Sequence, residues 1–558
     1  MHKLEEFIYD ILGSASKRKV VVLLTMIALF LSILMFPAKL VKARMLPGKS
    51  ANNFSIYIDA PTGSSYLQTK EIGECVFKVL KKEKQITDIE GFFGMGSPLD
   101  YAGLVKGSTF KQGENVAEIV VNLTHKHTRD EPSFLMVSRI RKELKKKCEP
   151  ILKDTSIKLI EQPAGPPTLA SIVVEVYGEN PKDIRVMAKD VKNILLHTKK
   201  LVDVDILEDE IYKKYELKID KDKVSKSGVS IQQLNNILYL AFEGMTVAVK
   251  NSVKSPDQIG LFLTLSKNSK KVYEVSKKAL LSKLSSLRLM NNKGMMVPVS
   301  ELVYIKRVDS SPSIMSKDLN KMVNVIAETD NESQVYPLLE ARDKMMEYFS
   351  KKGYEIKKDS FFSTYMFDLY LKEKSTGKKY LLRWDGEMKV TLDTFRDLGA
   401  AFIAALVLIF LLLVIYYKSF SLSGIILGGS FLSIIGVIVG HWVADLVTTH
   451  TFFLTATSLI GFIALMGISS RNSLLLIDFT KSLMEDKGIE KQRAIAIATA
   501  TRAKPILLTA IAIILGSALL ATDPIFGGLG VALISGTVAA VIVSLVFVPV
   551  LMYATKSL

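Results

Sequence analysis

The sequence predicts a membrane-embedded α-helical bundle joined to a large water-exposed α+β region, and three observations predict it. Apolar stretches lie at 20–36 and at about 398–417, 422–443, 451–479, 505–522 and 526–554. At ~1.5 Å rise per residue these approach or outspan the ~30 Å hydrocarbon layer. Residues 42–396 instead alternate short β-rich runs with helical patterns and carry most of the charge. Finally, Arg471 sits well inside an apolar stretch, where a cation costs about 3 kcal/mol or more and normally faces a bundle interior; a structural arginine that snorkels to a headgroup is the competing reading.

A chain of 558 residues is too long for one compact domain, and 49% hydrophobic residues fit a membrane protein. The net charge of +17 comes mostly from lysine. In a membrane protein it reflects inside-facing loops and a wet domain near anionic lipid. No aromatic-interleaved basic groove and no zinc spacing point to nucleic acid. No GxxxxGK[ST] motif points to nucleotide-driven work. Cys75 and Cys148, the only cysteines, could pair in an oxidising compartment but form no disulfide framework. They fall on or beside the two helices of one unit and are expected to be free, packed thiols.

Residues 1–16 place Leu4, Phe7, Ile8, Ile11 and Leu12 at helical spacing, which predicts an amphipathic helix lying at the membrane surface. Lys17, Arg18 and Lys19 then open a retained first membrane helix, 17–41, with a cytoplasmic N-terminus. A cleaved signal peptide is the competing reading, but the run is long and no small-residue cleavage site is present.

Residues 42–167 predict strands at 54–60, 86–93, 116–123 and 157–162, with helices at about 64–81 and 131–147. That order is the split βαβ, or ferredoxin-like, unit. A second copy is interrupted. Its first half, 168–215, carries a strand at 171–178, a helix at 181–197 and a strand at 202–207. Its second half, 316–396, carries a strand at 322–329, a helix at 333–351 and a strand at 354–360. An inserted module occupies 216–315, and 397–558 forms a five-helix membrane region.

With the first helix this makes six spans, so both termini share one side. Lys418, Lys481, Lys487, Lys491, Arg493 and Lys556 fall on that side, which places the α+β region outside the cytoplasm. Gly424, Gly428, Gly436 and Gly440 recur at multiples of four and permit close helix packing; ordinary membrane-helix composition explains them equally well. Asp478 lies two turns beyond Arg471 and is a poor direct partner. These spans carry no Asp or Glu at mid-membrane depth, and a buried cation without a counter-ion costs several kcal/mol. A second polypeptide contributing carboxylates is therefore expected.

Several stretches resemble one family, the resistance-nodulation-division (RND) efflux transporters. KARMLPGKSANNFSIYIDAPTGSS is similar to the start of their second porter region, and KIDKDKVSKSGVSIQQLNNIL resembles their funnel, or docking, segment. YYKSFSLSGIIL resembles the turn between the eighth and ninth helices of a full-length pump. GISSRNSLLLIDF and RAKPILLT resemble the tenth and eleventh helices. Taken in order over 17–558, the chain resembles the C-terminal half of an inner-membrane permease, encoded as a separate chain.

The resemblance implies a proton relay of Arg471, Asn472, Arg502 and Thr509. Arg471 stands at the position of the family's lysine on the tenth helix, and Arg502 and Thr509 match the arginine and threonine of the eleventh. Two aspartates of the fourth helix complete the relay, and they belong to the N-terminal half. Because arginine keeps its proton where a buried lysine can lose it, Arg471 is expected to respond as a fixed cation.

It further implies a multi-pass protein of the bacterial inner membrane, with its large loop in the periplasm and both termini cytoplasmic. Expected partners are the polypeptide carrying the N-terminal half, a periplasmic adaptor, an outer-membrane channel and membrane lipid, in a trimeric assembly. No cofactor and no enzymatic activity are expected. The proton motive force would drive export of lipophilic drugs, detergents or similar small molecules from the periplasm or outer leaflet. Two readings compete: export of heavy-metal cations, and a non-transporting subunit that only binds partners.

GFFGMGSPL, 91–99, is similar to the glycine-rich loop that divides the family's binding pockets. Gly91, Phe92, Phe93, Gly94 and Met95 are therefore the expected substrate contacts, the glycines supplying mobility and the phenylalanines flat apolar surface. A strand end whose phenylalanines are ordinary core is an equal alternative. His125 and His127 could face one way on an extended strand, and Met295 adjoins Met296. Neither pair has a further ligand, and SIYIDAP lacks the methionine that metal-exporting members carry on this strand. No metal site is expected.

Overall fold

The structure is a computed structural model. It describes residues 2–48, 50–98, 101–126, 128–162, 165, 167–254, 256, 258–266, 276–360, 363, 365–556 and 558. By compactness the chain divides into Met1–Leu207 with Ile314–Leu558, and Glu208–Ser313.

Helix α1 (His2–Gly13) turns its apolar stripe inward. Ile8, Ile11 and Leu12 are buried in a cluster with Ala494, Ile495 and Ala498. An ion pair of Arg493 with Glu5, at 2.8 Å, adds to this, so the helix is docked on protein. Helix α2 (Ala15–Leu34) follows, with Lys17, Arg18 and Lys19 in its first turns.

The first α/β sheet is built from β1 (Asn53–Asp59), α3 (Tyr66–Leu80), β2 (Ile86–Met95), the short α4 (Tyr101–Lys106), β3 (Gln112–Leu123), α5 (Ser133–Lys147) and β4 (Ser156–Glu161). A capping box starts α3: the Gln68 N–H donates to Ser65 Oγ at 3.4 Å, and the Ser65 N–H donates to the Gln68 side chain at 2.9 Å. The strands run β2-β3-β1-β4, each antiparallel to its neighbour. Ile56, Ile58 and Ile119 pack with Ile72 and Val76 of α3 and with Ile140 and Leu144 of α5. Every predicted element of this stretch is present within a few residues.

Cys75 and Cys148 are not free thiols. They form a disulfide, with Cα atoms 5.7 Å apart. The two helices lie on the same face of the sheet, which brings residues 73 positions apart into bonding range.

The chain continues as β5 (Ile172–Tyr177), α6 (Pro181–Leu196) and β6 (Leu201–Leu207). The separate compact unit then holds β7 (Lys213–Ile219), α7 (Lys221–Ser227), α8 (Ile231–Phe242), β8 (Met245–Lys250), β9 (Ile259–Leu263), α9 (Lys277–Ser286), β10 (Arg288–Met290), β11 (Met296–Pro298) and β12 (Val303–Asp309). Its small core gathers Val224, Leu234, Leu284, Val299 and Leu302 under the β7–β12 pair.

The main unit resumes with β13 (Met315–Lys317), β14 (Asn320–Thr329), α10 (Val335–Lys351), β15 (Tyr354–Lys358), β16 (Leu369–Glu373) and β17 (Lys379–Asp385). These complete a seven-stranded sheet, β13-β14-β5-β17-β16-β15, with β6 also on β14. Here the structure departs from the expected second copy. The β16–β17 hairpin stands between β5 and β15, so β17 takes the place beside β5 that a plain repeat would give to β15. Leu369, Leu371, Leu382 and Trp384 anchor the added hairpin in the same core as Val174, Val176 and Phe349.

The remaining helices are α11 (Glu387–Tyr417), α12 (Phe420–Phe431), α13 (Ile434–Val447), α14 (Ala456–Lys487), α15 (Lys491–Ala521), α16 (Gly527–Ile542) and, after a π turn at Val543–Phe547, α17 (Val548–Ala554). Taking α12 with α13 and α16 with α17, five helices among the described residues are long and apolar enough to cross a membrane. In α2 the three basic residues leave a shorter apolar remainder. The glycine series divides: a Cβ on Gly436 would lie 2.4 Å from the Ser535 carbonyl oxygen, whereas Gly424 and Gly428 have open space around them.

Replacing Cys75 and Cys148 by Ala should destabilise the first α/β unit by about 2–4 kcal/mol. A maleimide should label neither cysteine until reductant is added. Equal labelling with and without reductant, and an unchanged melting temperature in the double variant, would remove the disulfide.

Candidate functional site

Arg471 lies on an outward stripe of α14, with Ile460, Ala464, Gly467 and Leu475 at helical spacing. Its side chain is exposed, and no hydrogen bond or ion pair reaches it among the described residues. Asn472 turns the other way, buried beside Ser469 and Ser473 on the face packed in the bundle. The structure therefore separates these two expected relay residues onto different faces of one helix.

On α15, the Arg502 guanidinium carbon sits 4.8 Å from the centre of the Phe479 ring. Arg502 Nε is buried without a hydrogen-bond partner. Thr509 lies two turns further along and donates to the carbonyls of its own helix, Pro505 at 3.1 Å and Ile506 at 2.9 Å. Asp478 is engaged elsewhere: the Tyr417 hydroxyl donates to Asp478 Oδ1 at 2.6 Å, tying α11 to α14. Sequence reasoning missed this partner, because nothing local marks a tyrosine on another helix.

It also missed His441, fully buried on α13. Its Nε2 lies 2.8 Å from Ser458 Oγ and its Nδ1 lies 2.7 Å from the Val437 carbonyl. With both nitrogens occupied, this ring joins α13 to the capping box that begins α14.

The expected substrate contacts also divide. Phe93 packs edge-on between Tyr66 and Phe77, each 6.2 Å away between ring centres, on the helix side of the first sheet. A Cβ on Gly73 would lie 2.4 Å from that ring, so only glycine admits it there. Phe92, its neighbour on the strand, points to the opposite face. Met95 is 54% exposed, and Gly94 turns the chain with φ of +84°. Beyond them, buried Glu118 accepts the Ser97 N–H at 3.0 Å and its hydroxyl at 2.8 Å, fixing the loop to β3. Leu99 and His127 lie outside the described residues.

A cavity of about 160 Å³ opens between the 44–48 linker, β4, the end of β14 and the start of α11. Met45, Leu46, Phe134 and Val390 give it apolar wall, while Arg44, Lys106, Arg141, Glu161, Glu328 and Glu387 supply charge. Lys106 Nζ meets Glu328 Oε1 at 2.9 Å. Arg141 meets Asp203 at 3.0 Å and Asp330 at 3.5 Å, and Arg44 lies 3.8 Å from Glu387. Burial pushes the Glu161 carboxyl up to about 7, with Glu328 and Asp330 adding to the rise and Arg141 and Arg44 opposing it. None of these residues stood out in the sequence, because they come from segments far apart along the chain.

Apolar helices of membrane-spanning length, joined to two α/β sheets with a compact module inserted in the second, are the architecture of the RND class. The chain belongs to the AcrB/AcrD/AcrF family, whose model matches residues 4–364 and 365–556. It is 24% identical over 531 residues to the swarming motility protein SwrC of Bacillus subtilis (strain 168), covering 92% of this chain and 44% of that protein. It is also 24% identical over 351 residues to the multidrug export protein AcrF of Escherichia coli (strain K12), covering 60% of this chain and 29% of that protein. The chain thus spans less than half the length of these curated relatives. Two crystal structures of a heavy metal efflux pump share its fold, with TM-scores of 0.73 and 0.72 at 16% identity. They match 99% and 98% of this chain and 52% and 51% of theirs.

Phe93→Ala should destabilise the first α/β unit by about 2 kcal/mol or more, since it empties the space between two rings. Phe92→Ala, on the other face, should cost less. Thermal unfolding of the two variants checks this; equal losses would contradict the assignment of Phe93 to the core.

Proposed function

We propose that the chain is the C-terminal half of a proton-driven RND permease that exports small amphiphilic molecules from the periplasm or outer leaflet. The observation that carries this reading is Arg471, a cation on an apolar helix, turned outward and unpaired among the described residues. Such a group is costly in a membrane unless a counter-charge meets it. Carboxylates from outside this sequence, in the N-terminal half of the permease, supply it. Arg502 lies on the neighbouring helix and joins the relay, while Arg471 answers the proton held by those carboxylates through a change of partner or geometry.

The two sheets serve as ferredoxin-like porter units, the first complete and the second extended by its hairpin, and Glu208–Ser313 serves as the docking module. Helix α2 makes the sixth span. The Cys75–Cys148 disulfide supports a periplasmic position for the sheets, since such bonds persist in oxidising compartments. Lys481, Lys487, Lys491 and Arg493 then mark the cytoplasmic side with both termini. A trimer with a periplasmic adaptor and an outer-membrane channel completes the pathway. Export of a heavy-metal cation is the second reading, favoured by the likeness to the heavy metal efflux pump structures.

Arg471→Ala should abolish export while leaving membrane expression intact. Mass spectrometry of the complex purified from native membranes should find paired intramembrane aspartates on the polypeptide that carries the N-terminal half. Normal export by the variant, or proton-coupled transport by residues 1–558 reconstituted alone, would sink the proposal.

A further inference from the structure

We propose that Glu118 is a positioning residue for cargo discrimination: it grips the glycine-rich segment at the end of β2 and thereby fixes where Met95 stands. Glu118 lies midway along β3, where Ala117, Ile119 and Val121 turn into the helix-covered core and Glu118 turns to the other face of the first sheet. Its register partners are Tyr57 on β1 and Phe92 on β2. The residue is 2% exposed, and no ion pair reaches its carboxylate among the described residues. Two hydrogen bonds answer it instead, and both come from one residue: the Ser97 N–H at 3.0 Å and the Ser97 hydroxyl at 2.8 Å. Hydrogen bonds to a carboxylate are about twice as strong as those between neutral groups.

The segment itself is built for mobility. The β2–β3 ladder slips between Phe93 and Met95, where Gly94 takes a φ of +84°. Gly96 passes so near its surroundings that a Cβ on it would lie 2.2 Å from the Ser108 carbonyl oxygen and 3.3 Å from Glu118 Oε2. Glycines at 91, 94 and 96 leave the backbone many conformations, and the grip on Ser97 selects one. In that conformation Met95 is 54% exposed, with half-buried Phe92 three residues before it.

A thioether and a ring offer a soft, polarisable surface that favours flat aromatic cargo over a plain hydrocarbon chain. Holding this surface still is what lets it discriminate. Released, the segment keeps its apolar atoms but must be ordered again by each ligand, which weakens the contact. The aromatic preference then falls, while carriage of a hydrocarbon chain is little changed.

The test compares export of ethidium, a flat aromatic cation, with export of dodecyltrimethylammonium, an aliphatic one of the same charge, in cells carrying the whole complex at matched expression. Glu118→Ala should lower the rate for ethidium relative to dodecyltrimethylammonium about threefold or more. Glu118→Gln, whose amide can accept from the Ser97 N–H and donate to its hydroxyl, should keep the native ratio within about twofold. Met95→Ala, at an exposed position, should reproduce the loss with the fold intact. In the purified full chain the Ser97 amide should exchange its hydrogen about tenfold faster or more in Glu118→Ala. A native ratio in Glu118→Ala or in Met95→Ala, a Gln variant as impaired as the Ala variant, or an unchanged Ser97 amide would overturn the proposal. The Met95→Ala comparison stands even if Glu118→Ala does not fold.

Cargo selection rests on the proposed exporter, whereas the grip on Ser97 does not. Normal export by Arg471→Ala removes the proposed drive and leaves Glu118 to be judged by the ratio and the exchange rate. Export that needs Arg471 but ignores Glu118 removes the role of Glu118 alone.

Discussion

A charge taken out of water must be neutralised, and the fold answers that requirement differently in its wet and membrane parts. Lys158 of β4 is only 5% exposed and lies between Asp59 of β1, at 3.0 Å, and Asp205 of β6. Burial alone would raise Asp59, but Lys158 and Lys111 hold its carboxyl below the usual range. Arg141, on α5, reaches Asp203 and Asp330 in the same way. These pairs join the first sheet to the second across a seam with no strand ladder, and breaking one partner would leave the other buried and unpaired. In the apolar helices Arg471 has no such answer within the described residues.

Helix α11 carries the connection between the two parts. It leaves β17 through Gly386, whose φ of +81° and close approach to the Ala170 carbonyl leave no room for a side chain. The Glu387 and Met388 N–H groups then donate to Ala170 and Ser171 at 3.1 and 3.2 Å, fixing the start of the helix to the sheet. Its far end is tied by Tyr417 to Asp478 of α14, two turns from Arg471. Between these ties little of the helix is buried. The Tyr417–Asp478 hydrogen bond is thus a contact by which the helix leaving the second sheet meets the helix that carries Arg471.

Much of the fold was legible because its signals are local. Short β-rich runs such as SIYID and IVVEV, capping residues such as Ser65, and apolar runs of membrane length each mark an element without reference to distant residues. The β16–β17 hairpin was missed, since its short strands follow a stretch with no clear period and its place beside β5 depends on register. Of the expected site, the structure leaves Arg471 outward and Arg502 at Phe479, while Phe93 belongs to packing.

By itself the sequence determined which segments are strands, which are membrane-length helices, and that a cation lies within one of them. Those properties follow from side-chain periodicity and hydropathy over neighbouring residues. The tertiary structure decided which distant groups meet: Cys75 with Cys148, Tyr417 with Asp478, and the charged wall in which Glu161 lies near Arg141 and Arg44. The reason is physical. Pairing energies depend on separations of a few ångströms, and those separations are set by how sheets and helices pack rather than by spacing along the chain.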